Sequence, residues 1–305
     1  MTLQQIVYVL KIAETGSMSK AASELFVSQP TLTNAVHELE KEIGLSIFIR
    51  SNRGVALTEE GHRFLGDARS MYSQYQLMLD KYSAGNPRRR FAVSTQHFSF
   101  AVKCFVNMVQ QLDPASYRLA IRETRTLDVI RDVGLGTSQV GILYLSEFNR
   151  KYILRLLEEY NLDFTELARC EACVYLHRDH PLAHRTALSL EDLAPYPCIS
   201  FDQGEENLFY LAEEILSDNE FERSIKVTDR STVLNLMIGL KGYTLCPGIV
   251  CEELNGDSCR VIPYRADRDN PNRTMEIGYI NKKNALLGTA GNTYIEQLKH
   301  YFSEQ

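Results

Sequence analysis

The sequence predicts a two-part chain, a small all-α N-terminal module closed by a β-hairpin and a larger α/β module. Three observations predict it. Apolar residues near the start recur three and four positions apart, the helical spacing, and give way to two short β-rich runs around Ser51-Asn52-Arg53-Gly54. From Phe91 onward, short strand-like runs alternate with helical segments, which argues an α/β fold with mostly parallel sheets. Between the two parts, SAGNPRRR at residues 83–90 interrupts a long helical pattern with a Gly and a Pro. At 305 residues the chain has room for two or three domains.

In the first module, Leu3, Ile6, Leu10 and Ala13 share one helical face, and Gly16 suits the left-handed stop that ends the helix. Ser19 is the cap expected for a second helix, whose apolar face is Ala21, Ala22 and Leu25. Ser28 caps a third helix, with Pro30 in its first turn, Leu32, Val36, Leu39 and Ile43 as its buried stripe and Gly44 as its stop. Its start and opposite face present Ser28, Gln29, Pro30, Thr31, Thr33, Asn34 and His37. Gln and Asn match adenine edges in a major groove, and Thr meets a thymine methyl or a phosphate. The hairpin puts Arg50 and Arg53 at its tip, suited to a phosphate or the minor groove. Together these elements are a winged helix-turn-helix. A plain helical bundle explains the spacing but not the clustered Gly, Ser-Gln-Pro and hairpin signals.

Thr58 caps a helix expected to run to about Tyr82. Leu65, Ala68, Tyr72, Tyr75, Leu79 and Tyr82 follow one another in three- and four-residue steps, a heptad seam. Such a seam packs on its own module or pairs with a second chain, and pairing is the favoured reading. Arg88, Arg89 and Arg90 read equally well as phosphate contacts and as a solvated hinge.

These residues resemble the N-terminal domain of LysR-type transcriptional regulators. The resemblance is carried by Gly16-Ser17, Ala21-Ala22, Leu25, Ser28-Gln29-Pro30, Leu39-Glu40, Gly44, Leu45, Phe48, Arg50, Leu57-Thr58 and Gly61. It implies reading of double-stranded DNA by the helix starting near Ser28. It also implies a homodimer or homotetramer on a roughly palindromic operator, with RNA polymerase as a further contact. More loosely, the remainder resembles that family's effector half, a two-lobed periplasmic-binding-protein-like α/β fold, through His180-Pro181-Leu182-Ala183, Leu190 to Leu193 before Pro197, Gly239-Leu240 and Gly242-Tyr243. The domains implied are 1–58 for DNA binding, 59–90 for the dimerisation helix and hinge, and 91–305 for the effector. Within the last, lobe one takes 91–164 and 268–305, and lobe two takes 165–267.

Ligands in α/β folds sit at strand C-terminal ends beside helix N-termini. Four junctions fit that rule. They nominate Thr95, Gln96 and His97; Thr124 and Thr126; Phe201 and Asp202; and Ser231 and Thr232. Hydroxyls and helix amides suit a small anion, and Asp202 suits an amino group, so an amino-acid-like effector meets both demands. Each of these residues also has an ordinary reading as a helix cap. STQHFSFA at 94–101 resembles the segment found in family members that sense sulfur-metabolism intermediates.

Other chemistry is less well supported. Cys170-Glu-Ala-Cys173 lies in a strand-like run whose positions three apart face opposite sides, and no second CxxC completes a metal site. His177, His180 and His184 are interrupted by Pro181, so neither metal nor cofactor is expected. A redox switch using Cys104, Cys198 or the Cys170 and Cys173 pair is the rival regulator reading. An enzyme would need a nucleophile–base pair or a cofactor motif, and none is legible.

Charge is modest. Residues 1–90 hold 11 Lys/Arg against 9 Asp/Glu, and the remainder 22 against 30, so DNA affinity must come from placement, helix N-termini and doubling of the site. The opening residues lack a basic stretch followed by an apolar one, and no apolar run is long enough to span a bilayer. A cytoplasmic protein without a membrane partner is therefore expected.

Overall fold

The computed structural model describes residues 1–51, 54–82, 89–112, 117–204, 209–215, 221–249, 258–265 and 274–304. The chain divides into an N-terminal unit and a larger unit that begins at Arg89.

In the N-terminal unit, α1 (Leu3–Thr15), α2 (Met18–Glu24) and α3 (Gln29–Ile43) precede a hairpin of β1 (Phe48–Ser51) and β2 (Gly54–Leu57), and α4 (Glu59–Tyr82) follows. Thr2 and Gln5 form a capping box on α1. The cap of α2 is Ser17, not Ser19, because the left-handed turn at Gly16 places the Ser17 hydroxyl under the Lys20 amide. Ser28 caps α3, accepting from the Thr31 amide at 3.2 Å. The apolar face of α1 is turned from the expected one. Ile6, Tyr8, Val9 and Ile12 are buried, whereas Leu3, Leu10 and Ala13 are half-buried. Leu32, Val36 and Leu39 of α3 form one core with Tyr8, Val9 and Ile12, together with Ala21, Ala22, Ile47 and Leu65.

The hairpin is tied down by Glu40, whose Oε1 accepts from the Ile47 and Phe48 amides at 2.7 and 3.1 Å. Gly61 lets α4 start against this hairpin, since a Cβ there would lie 2.1 Å from the Ile47 carbonyl oxygen. Thr58 receives the Gly61 amide at 2.7 Å and donates to the Ser46 carbonyl at 2.6 Å. The α4 seam divides. Leu65 is buried in the core of its own module and Ala68 is buried as well, while Leu79, with Met71 and Met78, stays exposed. The Tyr82 side chain lies outside the described set.

The larger unit holds two five-stranded sheets. The first runs β4 (Tyr117–Glu123), β3 (Arg89–Thr95), β5 (Val140–Leu145), β12 (Thr274–Lys282), β6 (Leu162–Glu171). The second runs β11 (Cys259–Pro263), β7 (Cys173–His177), β10 (Tyr243–Cys246), β8 (Cys198–Phe201), β9 (Ser224–Val227). Helices α5 (Ser99–Gln110), α6 (Thr126–Gly134), α7 (Arg150–Glu159), the short α8 (Leu190–Leu193), α9 (Arg230–Leu240) and the C-terminal α10 (Thr289–Ser303) complete the unit. Both sheets are mixed rather than mostly parallel. The chain passes from one sheet to the other and back, so β12 runs antiparallel to β5 and β6, and β7 antiparallel to β10 and β11.

Three sequence expectations need correction here. Residue 165 does not open lobe two: β6 pairs with β12 along its length as far as Glu171, so the first crossing falls at Ala172. The return crossing expected at 267/268 lies outside the described residues. Arg89 and Arg90 belong to β3, so the segment expected as helix and hinge, 59–90, ends before Arg89. Cys170 and Cys173 do not share a strand, because the crossing places them in different sheets.

Candidate functional site

On α3, the cap and the buried stripe fix which residues face outward. Offsets of four and three between Leu32, Val36 and Leu39 hold one side in the core. Ser28, Gln29, Pro30, Thr31, Asn34 and His37 are exposed on the other, and Thr33 is half-buried. The Ser28 hydroxyl also bonds the Thr31 hydroxyl at 2.7 Å, so these two are shared between capping and any outward contact. The first turn of α3 carries no acidic side chain, leaving its partial positive charge uncompensated. Arg53 and the Arg50 side chain lie outside the described residues.

In the larger unit, a cavity of about 90 Å³ opens where the two sheets approach. His97, Phe98 and Ser99 line it from the first lobe. Tyr175, Phe201, Arg230, Thr244 and Cys246 line it from the second, with Glu213 and Glu214 at its edge. His97 stacks on Phe201, with ring centroids 3.8 Å apart and planes 4° from parallel.

The nominated ligand residues fare unequally. His97 and Phe201 face the cavity. Thr95 is buried and donates to the Gln96 carbonyl at 2.7 Å. Gln96, also buried, donates to the Thr126 hydroxyl at 2.5 Å and accepts from the Tyr144 amide at 3.1 Å. Thr126 in turn donates to the Leu211 carbonyl at 2.7 Å, and its amide donates to Gln203 Oε1 at 3.1 Å. These three groups are spent inside the protein. Thr124 hands its amide to the Thr95 carbonyl at 2.9 Å. Asp202 is not an open amine receptor, because Arg125 clamps its Oδ2 at 2.9 Å and its carbonyl at 3.1 Å. Thr232 is bound to the Asp229 carboxylate through hydroxyl and amide at 2.7 and 2.9 Å, bonds that hold the Asp229 carboxyl below the ordinary range. Ser231 is exposed and does not line the cavity.

Sequence reasoning missed Arg230, Tyr175 and the Glu213–Glu214 pair. Arg230 stands inside the nominated junction, at the first position of α9 after the Asp229 cap. It pairs with Glu123, while its buried Nε has no hydrogen-bond partner among the described residues. The buried Tyr175 hydroxyl, beside the Cys259 thiol, has no nitrogen or oxygen partner there either. The two glutamates were hidden inside NLFYLAEEILSDN, residues 207–219, one of the helical segments expected to alternate with the strand-like runs. Among its described residues, 209–215, only Phe209–Leu211 forms a helical turn, of the 3-10 kind. Tyr144 takes the carbonyls of Ala212 and Glu214 at 2.9 and 3.2 Å, and the glutamate side chains turn to His97 and Phe201. Burial, reinforced by Glu213, pushes the Glu214 carboxyl up to about 8.

His180 of the HPLA loop is occupied by structure. His180 is buried, with Nε2 on the Lys241 carbonyl at 2.9 Å and Nδ1 accepting from the Leu182 amide at 3.1 Å. Among the described residues no cluster of three metal-ligating side chains occurs, and no helix is long and apolar enough to cross a membrane. Burial pushes the Cys170 thiol up to about 11 and those of Cys198 and Cys246 up to about 12.

Comparison with known proteins covers both units. Residues 3–62 match the family model described as "Bacterial regulatory helix-turn-helix protein, lysR family", and residues 99–303 match "LysR substrate binding domain". The uncharacterized HTH-type transcriptional regulator YbhD of Escherichia coli (strain K12) is 25% identical over 299 residues, covering 96% of this chain and 89% of its own. Among solved structures, ArgP from Mycobacterium tuberculosis superposes with a TM-score of 0.67 at 15% identity, covering 98% of this chain and 96% of its own. A full-length OxyR variant from Pseudomonas aeruginosa gives 0.66 at 18%, with 99% and 94% covered. At these identities the structural likeness speaks to the fold.

Proposed function

Because the chain belongs to the LysR family of bacterial helix-turn-helix regulators, we propose that it reads an operator with the outward face of α3 and tunes transcription according to a small anion held between its two lobes. It is a DNA-binding transcriptional regulator with an effector-binding domain. The α3 face supports the finer DNA reading. Gln29, Asn34 and His37 are the exposed groups able to read base edges, while Ser28, Pro30, Thr31 and Thr33 set the helix start against the phosphates. Arg50 and Arg53 are proposed as wing contacts on sequence grounds alone. Replacing Asn34 with Ala should weaken operator binding by about 5- to 150-fold, the worth of one good base contact at ~1–3 kcal/mol. Binding to random duplex should hardly change. A titration by fluorescence anisotropy checks this, and equal losses on both duplexes would remove Asn34 from base reading.

The effector reading is carried by the Arg230 Nε and the Tyr175 hydroxyl, two buried donors without nitrogen or oxygen partners beside a cavity whose lining joins apolar residues such as Phe98 and Leu245 to the polar His97, Ser99, Glu213 and Glu214. A buried donor left without a nitrogen or oxygen partner favours an acceptor on the ligand. A carboxylate or similar anion with a compact apolar body answers that demand. An amino-acid-like compound, including one from sulfur metabolism, is the ligand class this reading favours. We place the chain in the cytoplasm, acting as a homodimer or homotetramer through the exposed Met71, Met78 and Leu79 of α4, with RNA polymerase as a contact.

A redox switch is the second reading. Register places Cys173 directly opposite Cys246, with Cys170 close by. The raised thiol values count against it, since the thiolate is the reactive form.

A further inference from the structure

We infer that the Glu213 carboxylate is a built-in occupant of a carboxylate site, and that an effector carboxylate acts on this chain by taking Glu213's place on His97 and Gln203. The inference rests on the effector reading above and names both the ligand group and what it displaces.

The donors are already arranged for a carboxylate. Glu213 Oε2 accepts from the His97 amide at 2.9 Å and meets His97 Nδ1 at 2.8 Å, and Oε1 accepts from Gln203 Nε2 at 3.0 Å. His97 and Glu213 side chains are 6% and 4% exposed, so these bonds are made away from water, where an unfilled donor is costly. The Phe201 ring, 3.8 Å from His97, fixes the imidazole so that the site stays formed.

The segment that delivers Glu213 also fastens the lobes. It comes from the stretch of chain between β8 and β9, in the second sheet, yet Leu211 is buried against Val129, Ile153 and Leu157 of the first lobe. Tyr210 stacks on Phe148 and Tyr152 at 4.7 and 5.5 Å. Thr126 and Tyr144 of the first lobe take the carbonyls of Leu211, Ala212 and Glu214. Expelling Glu213 therefore strips one anchor from a clasp between lobes, which gives the ligand a difference in affinity between two lobe arrangements.

A tethered carboxylate competes at an effective concentration in the millimolar range or above. A free ligand must exceed that through contacts Glu213 does not make. The Arg230 Nε and the Tyr175 hydroxyl, both beside the same cavity, supply them.

The test uses the full chain and sodium acetate, the smallest stand-in for the Glu213 head group beside formate. Thermal midpoints are followed against acetate at ionic strength held constant with chloride, for wild type, Glu213→Ala and Glu213→Gln. Glu213→Ala empties the site, so acetate should raise its midpoint saturably, with half-effect at least about tenfold below that of wild type. Equal acetate responses in Glu213→Ala and wild type, or no response beyond chloride, overturn the proposal. Should Glu213→Ala not fold, Glu213→Gln carries the test, because it keeps an acceptor oxygen but loses the charge. It should respond to acetate at lower concentration than wild type, and an unchanged response overturns the proposal. Operator binding by the same proteins separates the readings. Normal operator binding without rescue defeats the surrogate alone, whereas rescue with no change in operator footprint defeats the effector role of the site.

Discussion

Replacing Glu214 with Gln should flatten the pH dependence of the effector unit's stability. Glu214 is buried, and its Oε1 accepts the Phe201 amide at 2.7 Å, which leaves Oε2 to carry a proton. Burial is the main cause of the upward shift and Glu213 the next, with the Phe201 amide and Lys226 opposing them. The folded carboxyl titrates at about 8, against an ordinary 4.5. The folded state thus holds more protons than the unfolded one between those values, so stability falls as pH rises. It is fully present below the unfolded value and lost as pH climbs through the folded value. The slope approaches ~1.4 kcal/mol per pH unit, so going from pH 6 to pH 8 should cost wild type about 2 kcal/mol more than the Glu214→Gln variant. For a unit of this size that is roughly 4–8 °C in Tm. Thermal or urea melts of both proteins at pH 6, 7 and 8 measure it. Parallel profiles for the two proteins would refute the reasoning, by showing that Glu214 is ionised, or equally protonated, in both states.

Other predictions concern both units. Leu32→Ala removes a fully buried side chain from the three-helix core and should cost about 2–5 kcal/mol, seen as a lower urea midpoint for the N-terminal transition with the effector transition in place. Gly61→Ala forces a methyl onto the Ile47 carbonyl and should destabilise the same unit by about 1–3 kcal/mol, although Ala is the better helix former. A neutral or stabilising result would mean that the hairpin is not held against α4. Treatment with hydrogen peroxide at neutral pH should leave operator affinity within about twofold, since burial keeps the thiols of Cys170, Cys198 and Cys246 protonated. A reversible change abolished by Cys173→Ser or Cys246→Ser would favour the redox switch.

Much of this protein is legible because its signals are local. Ser28 caps α3, and Gly16 and Gly44 end their helices at φ of 64° and 70°, because caps and left-handed stops involve residues a few positions apart. The outward set on α3 follows from the three-four spacing of Leu32, Val36 and Leu39. The strand runs Phe91–Ser94, Tyr117–Glu123 and Cys173–His177 likewise declare themselves by composition. The sequence by itself therefore determined the winged module, the outward face of α3 and the α/β class of the remainder. Tertiary structure decided the site between the lobes. Within the described residues 209–215 the helical pattern gives way because Tyr144, Thr126, His97 and Phe201, from other elements, bind the carbonyls and carboxylates of Leu211–Glu214. The same contacts consume Gln96 and Thr126, and Arg125 consumes Asp202, so polar residues at the expected strand ends turn inward. Whether a polar side chain meets a ligand or a neighbour depends on which long-range donor or acceptor reaches it first, and that pairing exists only once the two sheets have come together.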